Sequence, residues 1–342
     1  MSESATATGS NGDPLFEAFL NKHDDKAWRE IVHTLLPSIH EVDRSATEIW
    51  FYFFPLALLR ALRNAEDPEQ LARRLSLQGK YLLKDQIDSS HEFFYGHRYW
   101  PQVKAAVSEL ASSTKAPASL DLATQIREAA ESVARRLNVD SALVTGIAAV
   151  AFMTLQQVGA AAFKSARGGV EKASKKSPEQ ILRDRRQDDA QHLLKSLFNP
   201  DKIFSIIFDE RDPAAKFKLI NTQHLTTAAA NDKRDHHSRD PRCVVGEGPI
   251  PVECRSAACG TCWVGVLGGS EKLSEVASLE WRKITEFGYI DTDEPRPLIR
   301  LACQAQAFGN VTIVIPPWNG VFGKFIRGQQ SADEGEHESA AI

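Results

Sequence analysis

No cysteine occurs in the first 242 residues of this 342-residue chain. A disulfide framework or a thiolate metal site is thereby excluded from that stretch. Charge of one sign is also lacking. Residues 1–200 carry 25 Lys and Arg against 25 Asp and Glu, residues 201–327 carry 16 of each, and the tail from Gly328 has none against four, so the net −4 sits wholly in the tail. Neither body has the basic excess that binding by phosphate neutralisation needs, and nucleic acid is set aside as a partner. There is no G-x-G-x-x-G after a strand, no P-loop and no G-x-S-x-G, and the Gly246-x-Gly248 pair lacks both spacing and helix. Flavin and nicotinamide chemistry is therefore not visible. The start, MSESATATGSNGD, has neither a basic nor an apolar region of the signal-peptide kind. The expected compartment is the reducing cytoplasm, with attachment to the inner face of a membrane as a variant.

Two domains are expected for this length. Residues 1–13 and 328–342 are small and polar, with little to bury, and are expected to be disordered. From Pro14 to about residue 200 the apolar spacing is helical, broken at Pro37, near Pro68, near Pro101, at Pro117 and around Gly168-Gly169. An all-α docking or assembly domain of six to eight helices follows, with an exposed linker at about 164–178 and a last helix over Pro178–Phe198. Ile49–Leu59 is apolar throughout and reads as a buried helix kinked at Pro55. Ser141–Phe163 has no charge over 23 residues, but Gln156, Gln157, Thr145 and Thr154 dilute its hydrophobicity. A buried helix is the favoured reading, ahead of a homo-oligomer or partner contact and then of membrane association.

After Asn199-Pro200 the period changes to two. Lys202–Phe208 and Lys216–Ile220 read as a β-hairpin, and the second domain is placed at 201–327. Strands are also expected at Trp263–Leu267 and Val311–Ile315.

All five cysteines lie in this domain, four of them as Cys254-x4-Cys259-x2-Cys262 and, 40 residues on, Cys303. C-x4-C-x2-C…C is the plant-type [2Fe–2S] spacing. Two irons and two sulfides need four thiolates, and a tight loop can supply three. Between the first three stand Arg255-Ser-Ala-Ala258 and Gly260-Thr261, small except for the arginine, so backbone N–H groups can turn toward the sulfurs. A structural zinc site is the bland alternative, but zinc usually pairs two C-x2–4-C knuckles, whereas Cys303 stands alone.

With these cysteines, Leu301-Ala-Cys303, the hairpin and a short helix expected at Thr222–Ala230, about 125 residues resemble the plant-type [2Fe–2S] ferredoxin family. The resemblance implies a β-grasp domain, a [2Fe–2S] cofactor held by Cys254, Cys259, Cys262 and Cys303, with Cys254 and Cys259 on one iron and Cys262 and Cys303 on the other, and one-electron transfer at roughly −400 mV. It does not extend to the helical region. Asn231–Gly248 is longer than in ordinary members, as is the Cys262–Cys303 interval, where a helix is expected over Leu273–Ile284.

Cys243, beside His236 and His237, reads as an inert leftover thiol, with a redox or metal role as the sharper alternative. His91-Glu-Phe-Phe-Tyr-Gly-His97-Arg-Tyr-Trp100 has its histidines six apart across a glycine, so it is not a zincin motif. Core packing or a partner surface is favoured there over a quinone, haem or metal pocket. The function expected is a one-electron carrier protein or subunit, without catalysis of its own, that relays electrons to or from a larger oxidoreductase through the helical domain. The alternatives are a regulatory protein whose helical domain binds a partner according to cluster state, and an enzyme with a pocket near His91–Trp100.

Overall fold

The computed structural model describes residues 15–113, 121–170, 173–186, 202–290, 292–323 and 325. The readings for both chain ends, and for the last helix beyond Arg186, fall outside them.

The helical region holds α1 Leu15–Leu20, α2 Asp25–Leu35, α3 Glu41–Phe53, α4 Leu56–Asn64, α5 Pro68–Arg74, a short strand β1 Gln78–Gly79, α6 Trp100–Ser112, α7 Leu122–Leu137, α8 Ala142–Val158, α9 Ala160–Ser165 and α10 Pro178–Arg186. This is more than the six to eight expected, because two uncharged runs are each divided. Pro55 caps α4 from a β conformation, so Ile49–Leu59 is two helices rather than one kinked helix. Gly159, at φ 82°, separates α8 from α9. Asp24, Asp67 and Asp121 accept backbone N–H bonds at the starts of α2, α5 and α7, and Asn138 in the left-handed region stops α7.

Helix α8 is the hub, packed against α1, α2, α3, α6 and α7. Every residue from Val144 to Gln157 is buried. At 17 residues it rises about 25 Å, short of a bilayer core of about 30 Å. Among the described residues no helix is long and apolar enough to cross a membrane. The glutamines that dilute it satisfy other helix ends and side chains: Gln156 accepts from Trp28 Nε1 at 2.6 Å, and Gln157 donates to the carbonyl of Phe54 at 2.6 Å. Gly146 admits α3 closely, since a Cβ there would lie 2.8 Å from Thr47 Oγ1.

The second region is built on β2 Ile203–Ile207, β3 Lys216–Ile220, α11 Leu225–Ala229, β4 Trp263–Gly268, α12 Ser278–Phe287, β5 Ile299–Leu301, β6 Val311–Val314 and β7 Trp318–Asn319. Five strands form one mixed sheet in the order β3-β2-β6-β4-β5. β2 and β6 are parallel and the other pairs antiparallel. The expected hairpin is β2–β3, and the expected helix after Cys262 begins at Ser278 rather than Leu273, because Leu273 bridges Ala307. It ends on Gly288 at φ 87°.

One hydrophobic core runs through both regions. Ile49 of α3 lies against β4, where a Cβ on Gly265 would come within 2.6 Å of its Cγ2. Phe53 meets the Trp263 ring edge-on at 5.2 Å, and Trp318 Nε1 donates to the Phe53 carbonyl at 2.5 Å. β1 pairs with β7, and Val321 N–H donates to the Leu75 carbonyl at 2.7 Å. Arg185 of α10 grips Glu210 through both carboxylate oxygens at 2.8 Å and the Val42 carbonyl at 2.7 Å. The linker is exposed yet pinned: Lys104 Nζ donates to the Ala166 carbonyl, Gly168 N–H to Asp88, and Arg98 to the Ser174 carbonyl.

Candidate functional site

The segment 254–262 leaves the loop before β4 and returns to the sheet at Trp263. Within it Arg255, Ala257 and Gly260 have φ of 53°, 58° and 71°. Left-handed residues alternating with ordinary ones turn successive N–H groups to one side, a concavity that receives anions. Two of them are not glycine, so the conformation costs energy and needs support from its surroundings. Ala258 N–H points at Cys254 Sγ at 3.2 Å, with Ser256 N–H at 3.5 Å. Gly260 is required: a Cβ there would meet the Phe287 ring at 3.0 Å in addition to the unfavourable φ.

Cys303 reaches the same place from β5. The Ala302 N–H donates to the Cys262 carbonyl at 2.9 Å, and the turn that follows is held by the start of α11, with Thr226 N–H on Ala302 and Leu225 N–H on Ala305. Behind it, fully buried Arg300 and Glu280 form a two-point ion pair at 2.8 Å, and Glu280 also accepts Leu301 N–H at 2.9 Å. This anchors the strand to α12.

Cys254 interacts with Cys259, both half-buried, and Cys262 with Cys303, both buried, while Cys259 also acts on Cys262. Among the described residues no three His, Cys, Asp or Glu side chains are gathered as one metal ion would require. Burial opposes the Cys254 thiolate, but the Ser256 and Ala258 N–H groups and the Cys259 thiol outweigh it and bring it down to about 7. Cys303 is lowered to about 6, first by the Cys262 thiol, with burial opposing and Gln304 assisting. Cys262 is pushed up as the other half of that pair. The donor set fits a [2Fe–2S] group: four neighbouring thiols in the C-x4-C-x2-C…C spacing, with N–H groups turned toward Cys254.

Sequence reading missed Tyr289. Its ring stacks on Trp263 at 3.9 Å and 12°, and its hydroxyl lies 2.7 Å from the Gly260 carbonyl and 2.8 Å from that of Gly320. It ties the cysteine loop to the segment that clasps the helical region. A lone tyrosine after a helix carries no sequence signal for this.

Cys243 is buried, donates to the Pro249 carbonyl at 3.2 Å, and is pushed up to about 12 by burial and then by Asp240. A protonated, enclosed thiol is inert. His236 pairs with Asp232, and His237 lies against the Cys243 carbonyl. The long 231–248 segment is thus tied down internally and, through Arg242 on the Pro316 carbonyl, to the C-terminal clasp. His91 and His97 are core residues, Nδ1 to Nδ1 at 2.9 Å, with both Nε2 atoms unpartnered.

No solved structure matches the chain. The family model for the 2Fe-2S iron-sulfur cluster binding domain matches residues 245–307, a span that includes all four paired cysteines and leaves the helical region uncovered. Residues 245–307, in the C-terminal region, are a 2Fe-2S iron-sulfur cluster binding domain, and that domain binds a 2Fe-2S cluster.

Proposed function

We propose that the chain is a one-electron carrier whose cluster is held by Cys254 and Cys259 on an outer iron and by Cys262 and Cys303 on an inner one, in a β-grasp domain backed by the helical body. The C-x4-C-x2-C…C cysteines, with N–H groups turned toward Cys254, carry this reading together with the family match over residues 245–307. A mixed sheet with an outer hairpin, a central parallel pair and α11 packed on β3 supports the β-grasp. When bound, the cluster takes up and returns single electrons. The protein contributes donors that favour the added negative charge and a low-dielectric floor under Cys262 and Cys303.

The exposed edge is the Cys254–Cys259 side, where Arg255, Ser256 and Ala258 are open to solvent. A redox partner approaches there. The helical body, packed on Trp263 through Phe53 and reaching Glu253 beside Cys254 through Gln78, docks the carrier onto a larger oxidoreductase. The unbridged cysteines suit a reducing compartment such as the cytoplasm.

Anaerobically reconstituted protein should show [2Fe–2S] charge-transfer absorption and, after dithionite, a rhombic S = 1/2 EPR signal. Cys303→Ser should lose both and Cys243→Ser should keep both. A colourless protein carrying stoichiometric zinc, or loss of the signal in Cys243→Ser, would sink the assignment.

A further inference from the structure

Between the helical region and the sheet lies a half-open cavity of about 200 Å³. Its lining includes Phe53, Leu267 and Val314, all nearly inaccessible to solvent, and the half-buried rings of Phe93, Tyr95 and Phe208. A cavity of about 150 Å³ already holds a benzene ring, whereas drug-sized ligands need roughly 300 Å³ or more. The space suits one or two fused rings and is too small for a flavin nucleotide or a haem.

The charges around it cancel. Glu92 and Asp209 both pair with Arg211, at 2.6 and 2.9 Å, and Glu210 pairs with Arg185 at 2.8 Å. Arg98 lies over the Tyr95 ring at 3.5 Å. Three carboxylates face three guanidiniums, so an uncharged occupant is favoured over an anion or a cation. Hydrogen-bond donors nonetheless remain. Among described residues Arg98 commits only Nε and Nη2, to the carbonyls of Tyr95 and Ser174, out of five N–H groups. Ser90 Oγ, buried in the wall, accepts from Trp50 Nε1 at 3.3 Å and keeps its own hydrogen to give. These donors suit carbonyl oxygens on an otherwise apolar ring.

The location gives the class of molecule. Phe53, in the wall, is in ring contact with Trp263, which follows Cys262 directly in the chain. An occupant is separated from a cluster cysteine by two aromatic side chains. We propose that this cavity is a binding site for a small neutral quinone, a planar ring with two carbonyl acceptors that takes up electrons singly, two of them with two protons giving the hydroquinone. The choice of a quinone rests on the electron-carrier reading; the capacity for a planar ring with carbonyls does not.

The test is a titration of the full chain with 2,3-dimethyl-1,4-naphthoquinone, whose blocked ring positions prevent addition of thiols, followed by quenching of tryptophan fluorescence. It is run on cluster-free and cluster-loaded protein. Saturable quenching is expected in both. Ser89→Trp, a substitution at an exposed lining position, should fill the cavity and weaken binding at least tenfold, with Phe93→Ala as a second variant and far-ultraviolet circular dichroism as the check on folding. A carbonyl-free analogue, 2,3-dimethylnaphthalene, should bind at least tenfold more weakly than the quinone. Absence of saturation, equal affinity in both variants, or equal affinity for the analogue overturns the proposal. Failure of the EPR experiment above, with quinone binding intact, would overturn the electron-carrier reading and leave the cavity's ligand in place.

Discussion

Helix α8 and the segment 254–262 bury backbone in opposite ways. In α8 the backbone hydrogen bonds are internal, the buried side chains are apolar apart from two threonines and two glutamines that find partners, and Val144–Gln157 has no residue at positive φ. The cysteine segment turns N–H groups toward sulfur and holds Arg255 and Ala257 at positive φ. The first is stabilised by the helices packed around it without any strained backbone. The second depends on what surrounds it: the Tyr289 hydroxyl on Gly260, the Glu280–Arg300 pair behind Cys303, and the aromatic contact with α3. The helical region is therefore the support of the cluster region as well as its neighbour.

The strongest way to break that comparison is Trp318→Ala. Trp318 is fully buried, its ring meets Trp263 and Phe322, and its indole N–H ends on Phe53. Truncation should cost about 3–5 kcal/mol. The helical circular dichroism and the visible cluster absorption should fall together at a lower temperature. Loss of the cluster with unchanged helical melting would mean that the two regions fold independently.

A smaller effect locates acid sensitivity in the helical region. His97 is pushed down to about 4 by burial first and then by Arg211, with Asp88 opposing, and His91 lies well below the ordinary imidazole value through burial and His97. Their folded values lie below the unfolded 6.5, so the stability they contribute is present above pH 6.5 and is lost as pH falls toward 4. Asp43 acts the other way. Burial raises it to about 6 against the N–H groups of Gly96 and Tyr95, so its contribution is full below its unfolded 3.8 and is lost as pH rises through 6. Burial raises Asp25 and Glu48 in the same sense as Asp43, while hydrogen bonds lower Asp24, Glu41 and Asp121, so the test isolates His97. His97→Gln should reduce the drop in stability between about pH 7 and about pH 5 by roughly 1–2 kcal/mol, measured by urea unfolding. An unchanged drop would show that His97 is not its source.

Tyr289→Phe should have the smallest effect on folding, about 1 kcal/mol, because the stack on Trp263 survives and only the hydroxyl is lost. Its sharper consequence is local: the Gly260 carbonyl loses its partner, and a chelator should strip iron several-fold faster. An unchanged rate would show that the loop holds its shape without Tyr289.

The domain order, the hairpin and the four cysteines were legible because each rests on local pattern: apolar spacing for the helices, alternation in KIFSIIF and KFKLI, and the C-x4-C-x2-C…C spacing. Pro55 was visible as an interruption, but whether it bends or divides a helix depends on the neighbours that receive the freed ends, as Gln157 does for Phe54, and the break at Gly159 was not foreseen. The glutamines looked like a weakness in an apolar run, whereas they satisfy groups more than 100 residues away. The His91–Trp100 stretch was noticed, but its histidines turn inward to each other while Phe93, Tyr95 and Arg98 line the cavity.

By itself, then, the sequence determined which residues offer thiolates and where the chain changes from helical to alternating order, since both are written in spacing along the backbone. Tertiary structure alone decided that Cys243 is sealed, that Tyr289 holds the cysteine loop, and that α3 packs on β4 to make one core with a cavity beside it. Those outcomes depend on contacts between residues far apart in the chain, where burial and hydrogen bonding, rather than local spacing, set the geometry.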